Sequence, residues 1–269
     1  MRIYISADLE GIAGVVHGDQ CHEGGKDYDR ARRWMTQEVS AAVQGALDAG
    51  ASDVLVNDAH GSMRNLLYEE LHPKATLISG TGKPLQMMEG IDDSYDAVFL
   101  IGYHARMGQQ GILNHTISGG TVGGVWVNGL EVGETGINSF TAGHFGVPVV
   151  LVTGDHCLAA EAQELMPWVK TVAVKRAISR YAAASLPRDE VRDLIRQRAH
   201  EAVANLSSAG PLRTQEPVEF RLRFRDTAQA DKADILSQVR RQDPLTLAFQ
   251  ATDYLTGVCR LRALIGLGR

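Results

Sequence analysis

Carboxylate and imidazole side chains recur directly after short apolar runs. Ser6-Ala7-Asp8-Leu9-Glu10-Gly11 follows Ile3, Tyr4 and Ile5; Asn57-Asp58-Ala59-His60-Gly61 follows residues 54–56; Gly102-Tyr103-His104 follows residues 97–101. Asp8 and Glu10 are two apart, so in extended chain they project to the same side. Two carboxylates converging beside an apolar core repel each other and lose hydration, which is costly unless a cation compensates. No Lys or Arg lies in these segments. Imidazoles and carboxylates without a basic neighbour are a ligand set for a divalent metal of the zinc, manganese or cobalt type. Taken singly, Asp8 reads equally well as a turn or capping residue, and each His more readily as a hydrogen-bonded loop residue. Three glycine-flanked strand ends together favour the metal site.

The elements that must position these groups alternate. Strands are expected at residues 54–56, 97–101, 122–127 and 147–152, with Asn128-Gly129 as a hairpin turn. Residues 28–49 carry Trp34, Met35, Val39, Ala42, Val43, Ala46 and Leu47 at helical spacing, with Gly50 placed to end the helix. Residues 189–206, 227–239 and 254–264 read as further helices, residues 218–224 as a half-exposed strand and 245–249 as another. The β-then-α order predicts an α/β fold: a largely parallel sheet flanked by helices, with a smaller C-terminal α/β part. In such sheets ligands bind beyond the carboxyl ends of the strands, where Asp8, Glu10, His60 and His104 fall. The Pro- and Gly-containing stretch 207–217 is the best linker, dividing a catalytic region at 1–206 from a part at 207–269 packed on the same domain.

Composition narrows the function. A formal net charge of -5, with charges interspersed, argues against nucleic acid or a membrane surface as partner. No apolar run approaches the roughly 18 residues of a membrane span, and residues 1–8 lack the features of a signal peptide. Cys21, Cys157 and Cys259 are far apart and form no CxxC pair, so a reducing cytoplasm is the expected compartment.

Other motifs carry less. Gly80-Thr81-Gly82-Lys83-Pro84 lacks the first glycine and the Ser/Thr of a phosphate loop and reads as a turn. His17, Cys21 and His22 read as a polar rim, Asp155 as a helix N-cap, and His144 as a packed or surface histidine.

The segment Ser6-Ala7-Asp8-Leu9-Glu10-Gly11 resembles the N-terminal signature of the zinc-dependent D-aminopeptidases of the DppA type. The resemblance continues in order through Asn57–Gly61, Gly102–Ala105, Asn114-His115-Thr116, Gly133-Glu134-Thr135-Gly136-Ile137-Asn138 and Val152–Asp155, covering more than half of the chain. It implies two Zn2+ per subunit, with Asp8 bridging, Glu10 and His104 completing one metal's ligands, and His60 and Glu134 the other's. It implies His115 as catalytic nucleophile, although general acid–base work is equally open to that ring. It also implies cleavage of short peptides carrying N-terminal D-amino acids of the D-Ala type, and self-association into a ring, a homodecamer. The rivals are another two-metal hydrolase such as a phosphoesterase, which would need basic groups such as Arg106 or Lys83 at the site, and a non-catalytic α/β binding module.

Overall fold

A computed structural model describes residues 1–269. In chain order the main elements are β1 (Arg2–Ala7), α1 (Tyr28–Asp48), β2 (Asp53–Asp58), β3 (Ala75–Ile78), β4 (Ala97–Ile101), β5 (Val122–Val127), β6 (Leu130–Glu131) and α2 (Glu134–His144). They continue as β7 (Val149–Asp155), α3 (His156–Leu165), β8 (Lys170–Ser179), β9 (Ala182–Ser185) and α4 (Arg188–Ala204). The chain ends with β10 (Val218–Phe224), α5 (Thr227–Ala233), β11 (Arg240–Asp243), β12 (Thr246–Ala251) and α6 (Tyr254–Leu267).

Seven strands form one sheet in the order β3-β2-β1-β4-β7-β8-β9, parallel except for the β8–β9 hairpin. Side-chain alternation along β1 divides its two faces. Ile3, Ile5 and Ala7 pack with α1 and α4, while Tyr4 joins Met88, Val98 and Leu100 on the other side. The chain runs from β1 outward to β2 and β3, then returns to place β4 on β1's other edge. The direction of winding therefore reverses between β1 and β4, the position where open α/β sheets leave a crevice at their carboxyl ends.

A second, antiparallel sheet has the order β11-β12-β10-β5-β6. Asn128 and Gly129 take positive φ (46° and 83°) in the β5–β6 turn, as an Asn-Gly hairpin requires. β5 and β6 belong to the same sheet as β10–β12, so residues 207–269 pack directly on an element of the 1–206 region. One expectation changes here. The helix expected at 227–239 stops at Ala233, and Arg240–Asp243 turns back as a strand. Arg241 pairs there with Asp231 and Asp234, charges that a purely apolar periodicity does not weigh. No helix is long and apolar enough to cross a membrane.

Candidate metal centre

The loops after β1 and β4 are locked together by backbone. Asp8 N donates to Ile101 O (2.8 Å) and Gly11 N to Gly102 O (2.8 Å). Gly11 and Gly102 are required by this approach: a Cβ on Gly11 would lie 1.9 Å from Tyr103 O, and one on Gly102 (φ +73°) 2.2 Å from Asp8 O. The loop after β2 folds around Asp58, whose carboxylate accepts from Asn65 N (2.5 Å), Leu66 N (2.7 Å) and Asn65 Nδ2 (2.7 Å). Asn65 Nδ2 also donates to His60 O, fixing that residue's backbone. Glu134 is the first residue of α2. Asp155 caps α3 as expected, accepting from Cys157 N and Leu158 N, and also receives Ile112 N (2.6 Å). That extra bond pins the loop carrying His115.

These elements bring all six residues together. His60 Nδ1 lies 3.0 Å from Asp8 Oδ1 and 2.9 Å from Glu10 Oε2. His104 Nε2 lies 3.5 Å from Asp8 Oδ2 and 3.3 Å from Glu134 Oε1. His115 Nε2 stands 4.0 Å from Glu10 and 3.7 Å from Glu134, and its ring stacks on His104 with centroids 4.1 Å apart. His115 is partly exposed; the other five residues are buried. The shortest approaches pair His60 with Glu10 and His104 with Glu134, whereas the resemblance pairs them crosswise. Asp8, Glu10 and His104 also converge within 4.8 Å, as do His104, His115 and Glu134.

Each ring's far nitrogen faces a backbone carbonyl: His60 Nε2 and Cys21 O (2.6 Å), His104 Nδ1 and Ala105 O (3.0 Å), His115 Nδ1 and Leu113 O (2.9 Å). A carbonyl only accepts, so these nitrogens carry the proton. In the neutral rings, the opposite nitrogens aim lone pairs at carboxylates that also only accept. Asp8 Oδ2, Glu10 Oε2 and His104 Nε2 are buried without a hydrogen-bond partner. Such a cluster needs added positive charge, from protons or from cations.

The proton equilibria express this demand. Burial, and then the charge of Glu10, push Asp8 up to about 7. At Glu10 burial acts in the same direction, but His60 outweighs it and holds the carboxyl well below its usual range. Burial likewise opposes the charged rings, yet Glu10 and Asp8 hold His60 well above the imidazole range, and Glu134 holds His104 at about 10. At Glu134, burial is overcome by His104, leaving the carboxyl at about 2. His115 differs: burial and then His104 lower its pKa, keeping the ring neutral. A divalent cation would displace protons from His60 and His104 and satisfy the orphaned atoms, the usual coupling of metal binding to proton release. Ligand atoms about 2.1 Å from one tetrahedral ion lie roughly 3.4 Å apart, close to the separations here. The residues fit a metal centre.

The rim histidines stay outside it. His17 and His22 are exposed beside Asp19, and Cys21 contributes its carbonyl rather than its thiol. Sequence reading missed Lys175, fully buried in β8, whose Nζ donates to Glu10 O (2.6 Å), Ile12 O (2.8 Å) and Val15 O (2.6 Å). A lysine directly after the apolar run Val172-Ala173-Val174 was its only signal. It also missed Ser6, Tyr103 and Asn138 behind the centre. Tyr103 Oη shares a hydrogen bond with Ser6 Oγ (2.6 Å) and accepts from Asn138 Nδ2 (2.9 Å).

A family model described as D-aminopeptidase matches residues 1–263. A D-aminopeptidase of Bacillus subtilis (strain 168) is 38% identical over 256 residues, spanning 95% of this chain and 93% of the relative. The solved structure of the Zn-dependent D-aminopeptidase DppA from Bacillus subtilis, described as a self-compartmentalizing protease, superposes with a TM-score of 0.97 at 36% identity, covering 100% of this chain and 98% of the other. Family, fold and site chemistry agree: this chain belongs to the D-aminopeptidase family.

Proposed function

We propose that the chain is a zinc-dependent aminopeptidase that releases N-terminal D-amino acids from short peptides, with Asp8, Glu10, His60, His104 and Glu134 holding two Zn2+ and His115 acting on the substrate. The observation that carries this reading is the donor set itself: imidazoles with one nitrogen tied to a carbonyl, the other turned toward a cluster of buried carboxylates whose oxygens include two without a hydrogen-bond partner. Asp8 has one oxygen toward His60 and the other toward His104, which suits it to be shared. When bound, the zinc ions supply positive charge that polarises a scissile carbonyl and makes water more acidic. His115 adds a neutral ring at the exposed edge, its Nδ1–H held by Leu113 O and its Nε2 free. That nitrogen can attack the carbonyl carbon or accept a proton, and Leu113 fixes the tautomer either role needs.

The phosphoesterase reading loses its cations. Lys83 is buried and donates to Asn57 Oδ1 and Asp58 O, both at 2.6 Å, and Arg106 pairs with Glu131 at 3.0 Å. Assembly into a closed homo-oligomer in the cytoplasm, with a decamer as the expected size, belongs to the same reading; the self-compartmentalizing relative supports the oligomer. The test is turnover of D-alanyl and L-alanyl dipeptides and a phosphoester panel, with and without zinc. Zinc-dependent cleavage confined to the D-alanyl substrates is expected; phosphoester turnover, or D-peptide turnover unaffected by metal removal, would overturn the reading.

A further inference from the structure

A cavity of about 220 Å³ beside the centre has Glu134 in its wall, together with Gln86, Met87, Ile117, Asn138 and Arg262. Arg262 comes from α6 and Asn138 from α2, one helical turn beyond Glu134. The Arg262 Nη1 is buried without a hydrogen-bond partner, and the guanidinium forms no ion pair, with Glu134 in the same wall acting on it only from a distance. Asn138 spends its Nδ2 on Tyr103 Oη and Met87 Sδ, while its Oδ1 is buried and unpartnered. One cavity thus presents an unanswered cation and an unanswered acceptor.

A guanidinium stays charged at any working pH, and leaving it desolvated and unpaired is costly. Its natural complement is a carboxylate, gripped by two parallel N–H bonds. The cavity is smaller than the roughly 300–1,000 Å³ of drug-sized sites, so it suits one amino-acid residue. The helical turn from Glu134 to Asn138 rises about 5.4 Å, comparable to the one or two residues of about 3.5 Å that follow a scissile bond. Resting on the D-aminopeptidase reading, we propose that this cavity receives the residue on the C-terminal side of the scissile bond. Arg262 pairs with its free carboxylate, and Asn138 Oδ1 accepts a peptide N–H. The preferred substrates are then dipeptides with a free C-terminus.

The test compares D-Ala-D-Ala with its C-terminal amide, on the wild-type enzyme and on Arg262→Gln, with thermal unfolding of both proteins. The wild type is expected to favour the free carboxylate by roughly tenfold to a hundredfold in kcat/KM, the scale of a hydrogen-bonded charge. Arg262→Gln should lose that preference through KM, the free acid losing far more than the amide, and unfold at the same or a higher temperature. A purely structural Arg262 would instead lower the unfolding temperature and slow both substrates equally, which overturns the proposal. So does a variant that keeps the carboxylate preference. Those outcomes leave the D-aminopeptidase reading intact; a wild type that cleaves neither substrate overturns both.

Discussion

Buried charge is treated in two opposite ways within a few residues of Glu10. Lys175 is fully buried, and its three N–H donors meet three backbone carbonyls of the 10–15 loop. Glu10's own side chain ends in a buried oxygen with no hydrogen-bond partner, as does that of Asp8, and His104 Nε2 is likewise buried and unpartnered. The protein answers a structural charge with its own backbone. It leaves charge unanswered where something from outside completes the site. Lys175 therefore reads as the residue that holds Glu10 in place, and the Asp8–Glu134 cluster as the place to be filled.

The strongest break in this contrast is Asp8→Ala. It removes the carboxylate that faces both His60 and His104. Activity on a D-alanyl dipeptide is expected to fall to background, and bound zinc, measured by elemental analysis, to drop from two ions per chain to none. His115→Ala should abolish turnover while keeping both ions. An Asp8→Ala protein that retains two zincs removes Asp8 from the proposed centre.

Lys175→Met attacks the other side of the comparison. It strands the carbonyls of Glu10 and Val15 and leaves Ile12 O only the Val15 N–H, a loss of about 3 kcal/mol when a buried charged partner is deleted. Urea unfolding should show that loss, and excess zinc should not restore it. Zinc affinity should fall as well, roughly tenfold to a hundredfold, the effect of removing a group that orients a metal ligand. Unchanged zinc affinity would confine Lys175 to a structural role.

This difference also explains what the sequence made legible. Asp8, Glu10, His60 and His104 stand out because strand ends deliver them to one sheet edge, and periodicity locates strand ends well. Glu134 and His115 do not follow parallel-sheet strands: one begins α2, the other sits in a loop pinned from afar by Asp155. Only family likeness pointed to them. Lys175 was hidden because a buried cation looks like a break in an apolar strand, and its three acceptors lie about 160 residues away in sequence. The second sheet escaped for a similar reason: β10 pairs with β5 across almost a hundred intervening residues, and local pattern carries no trace of such a pairing.

Glu38 tests the contrast most gently, because it is a structural charge only half answered. Its Oε1 accepts from Ala13 N (2.8 Å), steadying the same loop as Lys175, while its Oε2 is buried without a partner. Burial pushes its pKa up to about 7 from an ordinary 4.5, against the pull of the Ala13 hydrogen bond and of Lys175. Between those two values the folded chain holds a proton that the unfolded chain has released. Stability contributed by this group therefore falls as pH rises from 4.5 through 7, and the full penalty stands above that. Glu38→Gln keeps an acceptor for Ala13 and cannot ionise, but it buries an amide NH2 where Oε2 lay. The net gain at pH 8 should be on the order of 1–2 kcal/mol, seen as a rise of a few degrees in Tm, with little or no gain at pH 4. A variant less stable than wild type at pH 8 would mean that Glu38 is ionised and answered in the fold, placing it with Lys175 rather than between the two regions.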